Sequence, residues 1–211
     1  MARTWIFDLD NTLHNATPHI FPHISRSMTA YLSEHLALAP QAASELRMHY
    51  WQRYGATLTG LIRHHDIKPE HFLWHTHQFP ELHRMVIRAP LLRPTLQALS
   101  GRKIVFSNSP KHYANAVLKL LKINDLFDDV FAIEHTRFLP KPHAAGFLRL
   151  LKENKLQPER CIMVEDVLEN LRAAKKLGMK TVWVSDSIKR PAYVDVAISR
   201  LQHLPRLADR L

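Results

Sequence analysis

The sequence contains a single cysteine, Cys161, among 211 residues. One cysteine excludes an intramolecular disulfide and a zinc cluster built from several thiolates, and it is typical of a reducing compartment. No run of about 18 apolar residues occurs, so no membrane-spanning helix is predicted. Asp8 and Asp10 follow the short apolar run at residues 5–7, whereas a signal peptide needs a longer core without acids. We therefore expect a cytoplasmic protein with no membrane partner.

Acidic residues are fewer than basic residues in this sequence. The chain has 29 Lys and Arg against 19 Asp and Glu, which gives a formal net charge of +10 at pH 7. This balance favours an anionic partner: a nucleic acid, an acidic membrane surface or a phosphorylated small molecule. The basic residues are scattered, and no run of five occurs. A solvated basic surface explains that scatter better, so nucleic-acid binding stays the less favoured hypothesis.

Short β-branched runs alternate with helical segments in the second half of the chain, while 46 % hydrophobic and 23 % charged residues are typical of a globular protein. Strands are predicted at 4–8, 103–107, 130–133, 161–164, 181–184 and 194–198, and helices at 112–121, 142–151, 168–177 and 198–204. This alternation predicts an α/β fold with a doubly wound parallel sheet.

Residues 14–90 have a different character. Ile24, Met28, Tyr31 and Leu32 recur at helical spacing, and prolines divide the segment into several helices. The pattern predicts an all-helical insertion after the first strand.

Two aspartates, Asp8 and Asp10, directly follow the first predicted strand. Active sites of doubly wound sheets lie at the carboxyl ends of the strands. One of these carboxylates can act as a nucleophile and the other as a general acid, or the two can recruit a divalent cation. A turn that uses Asp and Asn for capping is the alternative for this pair taken alone.

Three other segments carry polar groups near strand ends. Ser107 and Asn108 offer a hydroxyl and an amide to phosphate oxygens, and Lys141 offers a charge that offsets developing negative charge. Glu165 and Asp166 form a carboxylate pair suited to Mg²⁺. Together with the first pair, these residues indicate phosphoryl chemistry at one edge of the sheet.

These motifs, in this order, resemble the haloacid dehalogenase superfamily in its phosphatase branch. The matching segments are Asp8-Leu9-Asp10-Asn11-Thr12, Ser107-Asn108, Lys141-Pro142 and Glu165-Asp166-x-x-x-Asn170. The resemblance implies a Rossmann-like core domain formed by residues 1–14 and 91–211, with residues 15–90 as a helical cap domain.

The resemblance also implies catalytic roles. Asp8 would attack phosphorus and form an aspartyl-phosphate, and Asp10 would protonate the leaving alkoxide and then deprotonate water. Ser107 and Asn108 would hold the phosphoryl oxygens, and Lys141 would offset their charge. Dehalogenase members lack the second aspartate, so Asp10 indicates a phosphatase.

A Mg²⁺ cofactor follows from the same resemblance. Its ligands would be the Asp8 carboxylate, the Asp10 backbone carbonyl and the Asp166 carboxylate. Many relatives have Gly-Asp and a second Asp four residues later, where this chain has Glu165 and Asn170. We do not expect either of these two to be a direct ligand.

The segment Tyr54-Gly55-x-Thr57-x-x-Gly60-Leu61 resembles the pyrimidine 5′-nucleotidase subgroup. This implies hydrolysis of nucleoside monophosphates such as UMP or CMP. We expect the protein to be a monomer or a homodimer. Tyr54, Thr57 and His112 are the candidate substrate-binding residues, and His14 lies close enough to a motif to join them. A phosphatase or phosphomutase acting on phosphoglycolate or a sugar phosphate is the alternative.

Histidines and tryptophans in the predicted cap invite other interpretations. A zinc site is suggested by five histidines: His64, His65, His71, His75 and His77. None of them has the pairing with a catalytic glutamate that marks a zinc hydrolase helix. Surface or capping roles are therefore favoured. Trp51 and Trp74 could stack on a base, although their helical spacing favours packing in a core.

Overall fold

A computed structural model describes residues 3–187 and 189–208. Residues 1–2, 188 and 209–211 of the predicted core domain lie outside the described residues. The strands are β1 (Thr4–Phe7), β2 (His14–Asn15), β3 (Ile87–Arg88), β4 (Arg102–Phe106), β5 (Asp129–Phe131), β6 (Cys161–Glu165), β7 (Lys180–Val184) and β8 (Val196–Ile198). The helices are α1 (Ile20–His35), α2 (Pro40–Tyr54), α3 (Thr57–His64), α4 (Pro69–Thr76), α5 (Leu82–Met85), α6 (Leu92–Gln97), α7 (Lys111–Leu121), α8 (Ala144–Glu153), α9 (Leu168–Lys176) and α10 (Leu204–Leu207).

Six parallel strands form the main sheet in the order β5-β4-β1-β6-β7-β8. This arrangement confirms the predicted doubly wound sheet. The order reverses at β1, which pairs with β4 on one side and with β6 on the other. Chain segments that leave the carboxyl ends of β1, β4 and β6 are therefore neighbours at the switch point, where such sheets bind ligands.

Side chains of the sheet alternate between two buried layers. Trp5, Phe7 and Val105 pack on one face, while Ile6 and Ile104 pack on the other, and all of them are at most 1 % exposed. Helices cover both faces of the sheet, so nearly every side chain of the central strands is buried. The sequences of these strands are therefore continuously apolar, as is typical of parallel strands. This double burial keeps the strand ends rigid at the switch point.

The inserted segment has a hydrophobic core of its own. Helix α2 packs against α1 and α3, and Tyr31, Leu32 and Phe72 meet there with Ile133, which comes from the segment after β5. The insertion is not entirely helical, because its two ends pair as the antiparallel strands β2 and β3. The division into a core domain and a cap domain at residues 15–90 remains a prediction.

Two predicted element boundaries near the carboxyl half are wrong. Helix α8 begins at Ala144 instead of Pro142, because the His143 side chain accepts a hydrogen bond from the Ala145 backbone N–H at 3.3 Å and so caps the helix. The last helix was predicted at 198–204 but spans Leu204–Leu207, with Pro205 in its first turn. None of the described helices is long and apolar enough to cross a membrane.

Helices α2 and α3 approach closely at Gly60, where a Cβ atom would lie 2.2 Å from Cγ of Tyr50. We expect Gly60→Ala to lower the free energy of unfolding by about 1–3 kcal/mol, because overpacking outweighs the helix propensity that alanine adds. Urea or thermal unfolding measures the change.

Gly146→Ala is the matched control, because this helical glycine would place its Cβ no closer than 3.2 Å to any neighbour. A Gly60→Ala variant as stable as the parent would show that the two helices separate without cost, contrary to this account.

Candidate active site

The predicted polar groups converge at the switch point of the sheet. Asp8 directly follows β1, and its backbone N–H donates to the Val164 carbonyl of β6 at 3.0 Å. Ser107 directly follows β4, and its N–H donates to the Phe131 carbonyl of β5 at 3.0 Å. The ladder therefore continues one residue past these strands, which fixes the backbone from which both side chains project.

Lys141 lies at the centre of the site and is only 4 % exposed. Its ammonium group donates to Asp8 Oδ1 at 2.7 Å, to Glu165 Oε2 at 2.8 Å and to the Phe106 carbonyl at 2.8 Å. Burial alone would lower the pKa of Lys141, but the carboxylates of Asp8 and Glu165 outweigh it and raise that pKa above its ordinary value. The lysine is therefore charged at neutral pH.

Asn108 holds the backbone of Lys141 in place. Its side-chain Oδ1 accepts from the Lys141 N–H at 2.7 Å, and its Nδ2 donates to the Lys141 carbonyl at 3.1 Å. Because both ends of the carboxamide are engaged, this side chain positions the lysine in the structure, whereas the sequence suggested that it holds phosphoryl oxygens. The neighbouring Ser107 is 1 % exposed, and its Oγ accepts from the Ser109 N–H at 3.0 Å.

Asp8, Glu165 and Asp166 form a candidate metal site, with one ligand atom from each lying within 4.8 Å of the others. Carboxylate oxygens are the ligands that Mg²⁺ prefers. Glu165 is already saturated: Oε1 accepts from the backbone N–H groups of Asp166 and Val167, and Oε2 accepts from Lys141 and Asn170. Asp8 and Asp166 are thus the side chains with oxygens to spare for an ion, and Asn170 supports Glu165.

The charges at this site also fit a divalent cation. Three carboxylates surround a single ammonium group, so the cluster carries an excess of negative charge. Burial and the neighbouring Glu165 raise the pKa of Asp8 well above its usual range, despite the opposing effect of Lys141. Burial and Glu165 likewise raise the pKa of Asp166 to about 7. A bound Mg²⁺ would remove this penalty by supplying the missing positive charge.

Asp10 lies in a separate set of hydrogen bonds. Its Oδ1 accepts from the Tyr113 hydroxyl at 2.6 Å and contacts His14 Nε2 at 2.9 Å, and its Oδ2 accepts from the Ser109 hydroxyl at 2.8 Å. Burial raises the pKa of Asp10, but the bonds from His14, Tyr113 and Ser109 together outweigh burial and lower it. Tyr113 could not be identified from the sequence, because its contact with Asp10 depends on how helix α7 packs beside β1.

A cavity of about 480 Å³ lies where the insertion meets the core. Its lining includes Asn108, which bonds the backbone of Lys141, and Pro140, which precedes Lys141 in the sequence. Arg47 and Trp51 of helix α2 also line it. Most of the other lining side chains are apolar. This composition is typical of a pocket for a small organic ligand.

The predicted substrate-binding residues of the cap lie in different places. Thr57 lines the cavity, although its hydroxyl donates to the Arg47 carbonyl at 3.1 Å. Tyr54 is not among the lining residues, and its hydroxyl bonds His64 at 2.6 Å. His112 also lies outside the lining, with Nε2 at 3.3 Å from the His77 carbonyl.

The expectation that Trp51 and Trp74 pack in a core is wrong, because each is 55 % exposed. Trp51 lies at the cavity, and the Trp74 ring lies 5.0 Å from that of His112. Helical spacing favoured a core because it cannot tell a face that packs from a face that borders a cavity.

The histidines of the insertion do not form a metal site. Within residues 3–187 and 189–208, the acidic cluster is the one group of three or more potential ligands close enough to hold an ion. His71 Nδ1 instead bonds the Tyr31 hydroxyl at 2.8 Å, and His65 Nε2 bonds the Tyr50 hydroxyl at 2.8 Å. His64, His71 and His75 are exposed, as the sequence favours, whereas His77 is buried, contrary to that expectation.

Comparison with known proteins agrees with this geometry. Residues 2–178 match the family of haloacid dehalogenase-like hydrolases. The chain belongs to this family. A structure of a haloacid dehalogenase phosphatase from Thermococcus onnurineus superposes with a TM-score of 0.69 and 24 % identity, over 99 % of this chain and 98 % of that one. At that identity the superposition supports the fold alone.

Curated haloacid dehalogenase-like relatives are more divergent in length. Phosphate metabolism protein 8 of Saccharomyces cerevisiae is 26 % identical over 192 residues, which cover 84 % of this chain but only 60 % of the yeast protein. The phosphoglycolate phosphatase of Pseudomonas putida is 24 % identical over 195 residues, covering 86 % of this chain and 69 % of that enzyme. The predicted family is confirmed. Phosphatase activity and specificity for pyrimidine nucleotides remain predictions.

Mg²⁺ binding to this hydrolase should weaken as the pH falls. Asp166 has a pKa of about 7, so at pH 6 it holds a proton that the ion must displace, while at pH 8 it is already ionised. For this one proton, we expect about a tenfold lower affinity at pH 6 than at pH 8. Calorimetric Mg²⁺ titrations at the two pH values measure the difference.

Asp166→Asn is the control, because it removes both the ligand charge and the proton. Any remaining Mg²⁺ affinity should depend less on pH in that variant. Equal affinities of the parent at pH 6 and pH 8 would contradict the proposed ligand role of Asp166.

Proposed function

We propose that this hydrolase is a Mg²⁺-dependent phosphatase that releases phosphate from pyrimidine nucleoside 5′-monophosphates through an aspartyl-phosphate on Asp8. The observation that carries the chemistry is the contact of the buried Lys141 ammonium group with Asp8 Oδ1 at 2.7 Å. The carboxylate of Asp166, which has an oxygen available to a metal ion, lies beside this contact. This arrangement places a nucleophile, a fixed positive charge and a metal ligand together.

Lys141 orients the nucleophile. It holds one oxygen of Asp8 and leaves Oδ2 free of hydrogen bonds from the described residues, so this second oxygen can form the bond to phosphorus. As the Asp8–phosphorus bond forms, the bond between phosphorus and the ester oxygen breaks. Mg²⁺, held by Asp8 and Asp166, would supply positive charge for the phosphoryl oxygens. Ser107 would donate its hydroxyl hydrogen to one of them.

Asp10 would serve as the acid and then as the base. Its carboxyl group gives a proton to the leaving alkoxide in the first step, which releases the nucleoside. It then takes a proton from the water that attacks the aspartyl-phosphate, which frees inorganic phosphate and restores Asp8. Because its hydrogen bonds lower the pKa of Asp10, the resting carboxyl group is ionised and must gain a proton when substrate binds.

The cavity supports a nucleoside as the leaving group. Its volume of about 480 Å³ and its apolar lining suit a ring system better than a two-carbon acid such as glycolate, which has little apolar surface to bury. Trp51 offers an exposed ring at the same cavity, and aromatic rings stack on bases. The resemblance of the segment from Tyr54 to Leu61 to pyrimidine 5′-nucleotidases adds the pyrimidine preference.

Phosphate release from a panel of substrates tests this function. We expect Mg²⁺-dependent release that is highest for UMP and CMP and lower for AMP, GMP, phosphoglycolate and hexose phosphates, with none in EDTA. Asp8→Asn should lower kcat by at least about 10³-fold, because the reaction then has no nucleophile. Circular dichroism should show the fold of this variant unchanged.

Asp66→Asn is the matched control, because Asp66 is an exposed residue of the insertion. A maximum on phosphoglycolate or a sugar phosphate would retain the mechanism but contradict the substrate. An isomerised sugar phosphate as product would indicate a mutase. No release from any member of the panel, combined with salt-dependent retention on RNA, would favour the nucleic-acid hypothesis.

A further inference from the structure

Arg47 of helix α2 borders the cavity, and none of the residues described by the structure pairs with its charge. Its Nε atom is buried and has no hydrogen-bond acceptor, and none of the described carboxylates lies within ion-pair distance of its guanidinium group. Burial also lowers the pKa of Arg47. A partly buried donor without an acceptor loses hydrogen-bond energy, and an acceptor on a bound ligand would restore it.

The other polar groups of the cavity do not provide that compensation. Thr57 donates its hydroxyl to the Arg47 backbone carbonyl. His77 is buried with a pKa of about 4, so it is neutral at pH 7. The Asn108 carboxamide is engaged with Lys141. Arg47 is therefore the one charged side chain in the described lining of the cavity, and the remainder is mostly apolar.

The position of Arg47 separates it from the catalytic charges. It lies on the insertion, whereas Asp8 and Lys141 lie on the main sheet and the segment before α8. The lining of the cavity includes both Arg47 and Pro140, the residue before Lys141, so the cavity extends from helix α2 to the segment beside the catalytic lysine. An acceptor on the leaving group, away from the phosphate, would meet the guanidinium group.

We infer that Arg47 is a specificity-determining residue that donates hydrogen bonds to the ring carbonyl of a pyrimidine base. The O2 carbonyl is the acceptor shared by uracil and cytosine, and a guanidinium fork can donate two bonds to one edge of such a ring. The apolar lining and the Trp51 ring would bury the faces of the base. This inference rests on the proposed function, because it assigns the base-binding end of that same substrate.

Paired kinetics on UMP, CMP and ribose 5-phosphate test the inference, because ribose 5-phosphate has the sugar and the phosphate but no base. Arg47→Met should lower kcat/KM for UMP and CMP by about 10- to 100-fold, the value of a hydrogen bond to a charged donor. The same variant should change kcat/KM for ribose 5-phosphate by less than about twofold. Arg47→Lys should be intermediate, since it keeps the charge and loses the fork.

Arg84→Met is the matched control. Arg84 is an exposed arginine of the insertion that pairs with the nearby Glu81 and does not line the cavity, so its replacement by Met changes the net charge by the same amount. We expect Arg84→Met to leave the ratio of kcat/KM for UMP to that for ribose 5-phosphate unchanged, and likewise the ratio for CMP. The Mg²⁺ requirement and the thermal midpoint of each variant show whether the site and the fold are intact.

Three results would overturn the assignment of Arg47: equal losses on UMP and on ribose 5-phosphate, no loss on UMP, or the same effect from Arg84→Met. Each of these can occur while the parent enzyme still prefers UMP, in which case only the inference about Arg47 fails. A parent enzyme that does not prefer UMP and CMP over ribose 5-phosphate would overturn the proposed substrate together with the base contact.

Discussion

The Lys141 ammonium group joins three otherwise independent parts of the fold. It bonds the residue after β1, the last residue of β4 and the last residue of β6. Burying this charge is tolerable because two carboxylates and a carbonyl replace its water shell. Removing the ammonium group would leave Asp8 and Glu165 buried without a counter-charge, a change that typically costs about 3–5 kcal/mol. The same contacts that stabilise the switch point therefore orient the nucleophile.

The supports of this centre are arranged in successive layers. Asn108 fixes the backbone of Lys141, and Asn170 with two backbone N–H groups fixes Glu165. Such saturation leaves little freedom for the lysine, and within this acidic cluster the oxygens available to an ion belong to Asp8 and Asp166. Asp10 is held apart from this centre by its own donors, one of which is His14 of strand β2. The group assigned as the acid is thus anchored to the connection between the core and the insertion.

Much of the fold and of the catalytic centre could be predicted from the sequence. The motifs at the ends of β1, β4 and β6 are short and local, and a parallel sheet brings such ends together whatever the rest of the chain does. The contacts of Asn108 with Lys141 and of Tyr113 with Asp10 could not be predicted, because they depend on the register of distant segments. Exposed Trp51 was misassigned for a related reason, since periodicity identifies an apolar face but not what covers it.

The chain crosses between the core and the insertion twice. The two crossings pair with each other as the short antiparallel strands β2 and β3. The two crossings run side by side at this ladder, and the insertion also packs on the core elsewhere, as through Ile133. None of the six strands of the main sheet lies within the insertion. The catalytic side chains at the strand ends and the cavity side chains of helix α2 consequently belong to parts of the chain that can change in sequence separately.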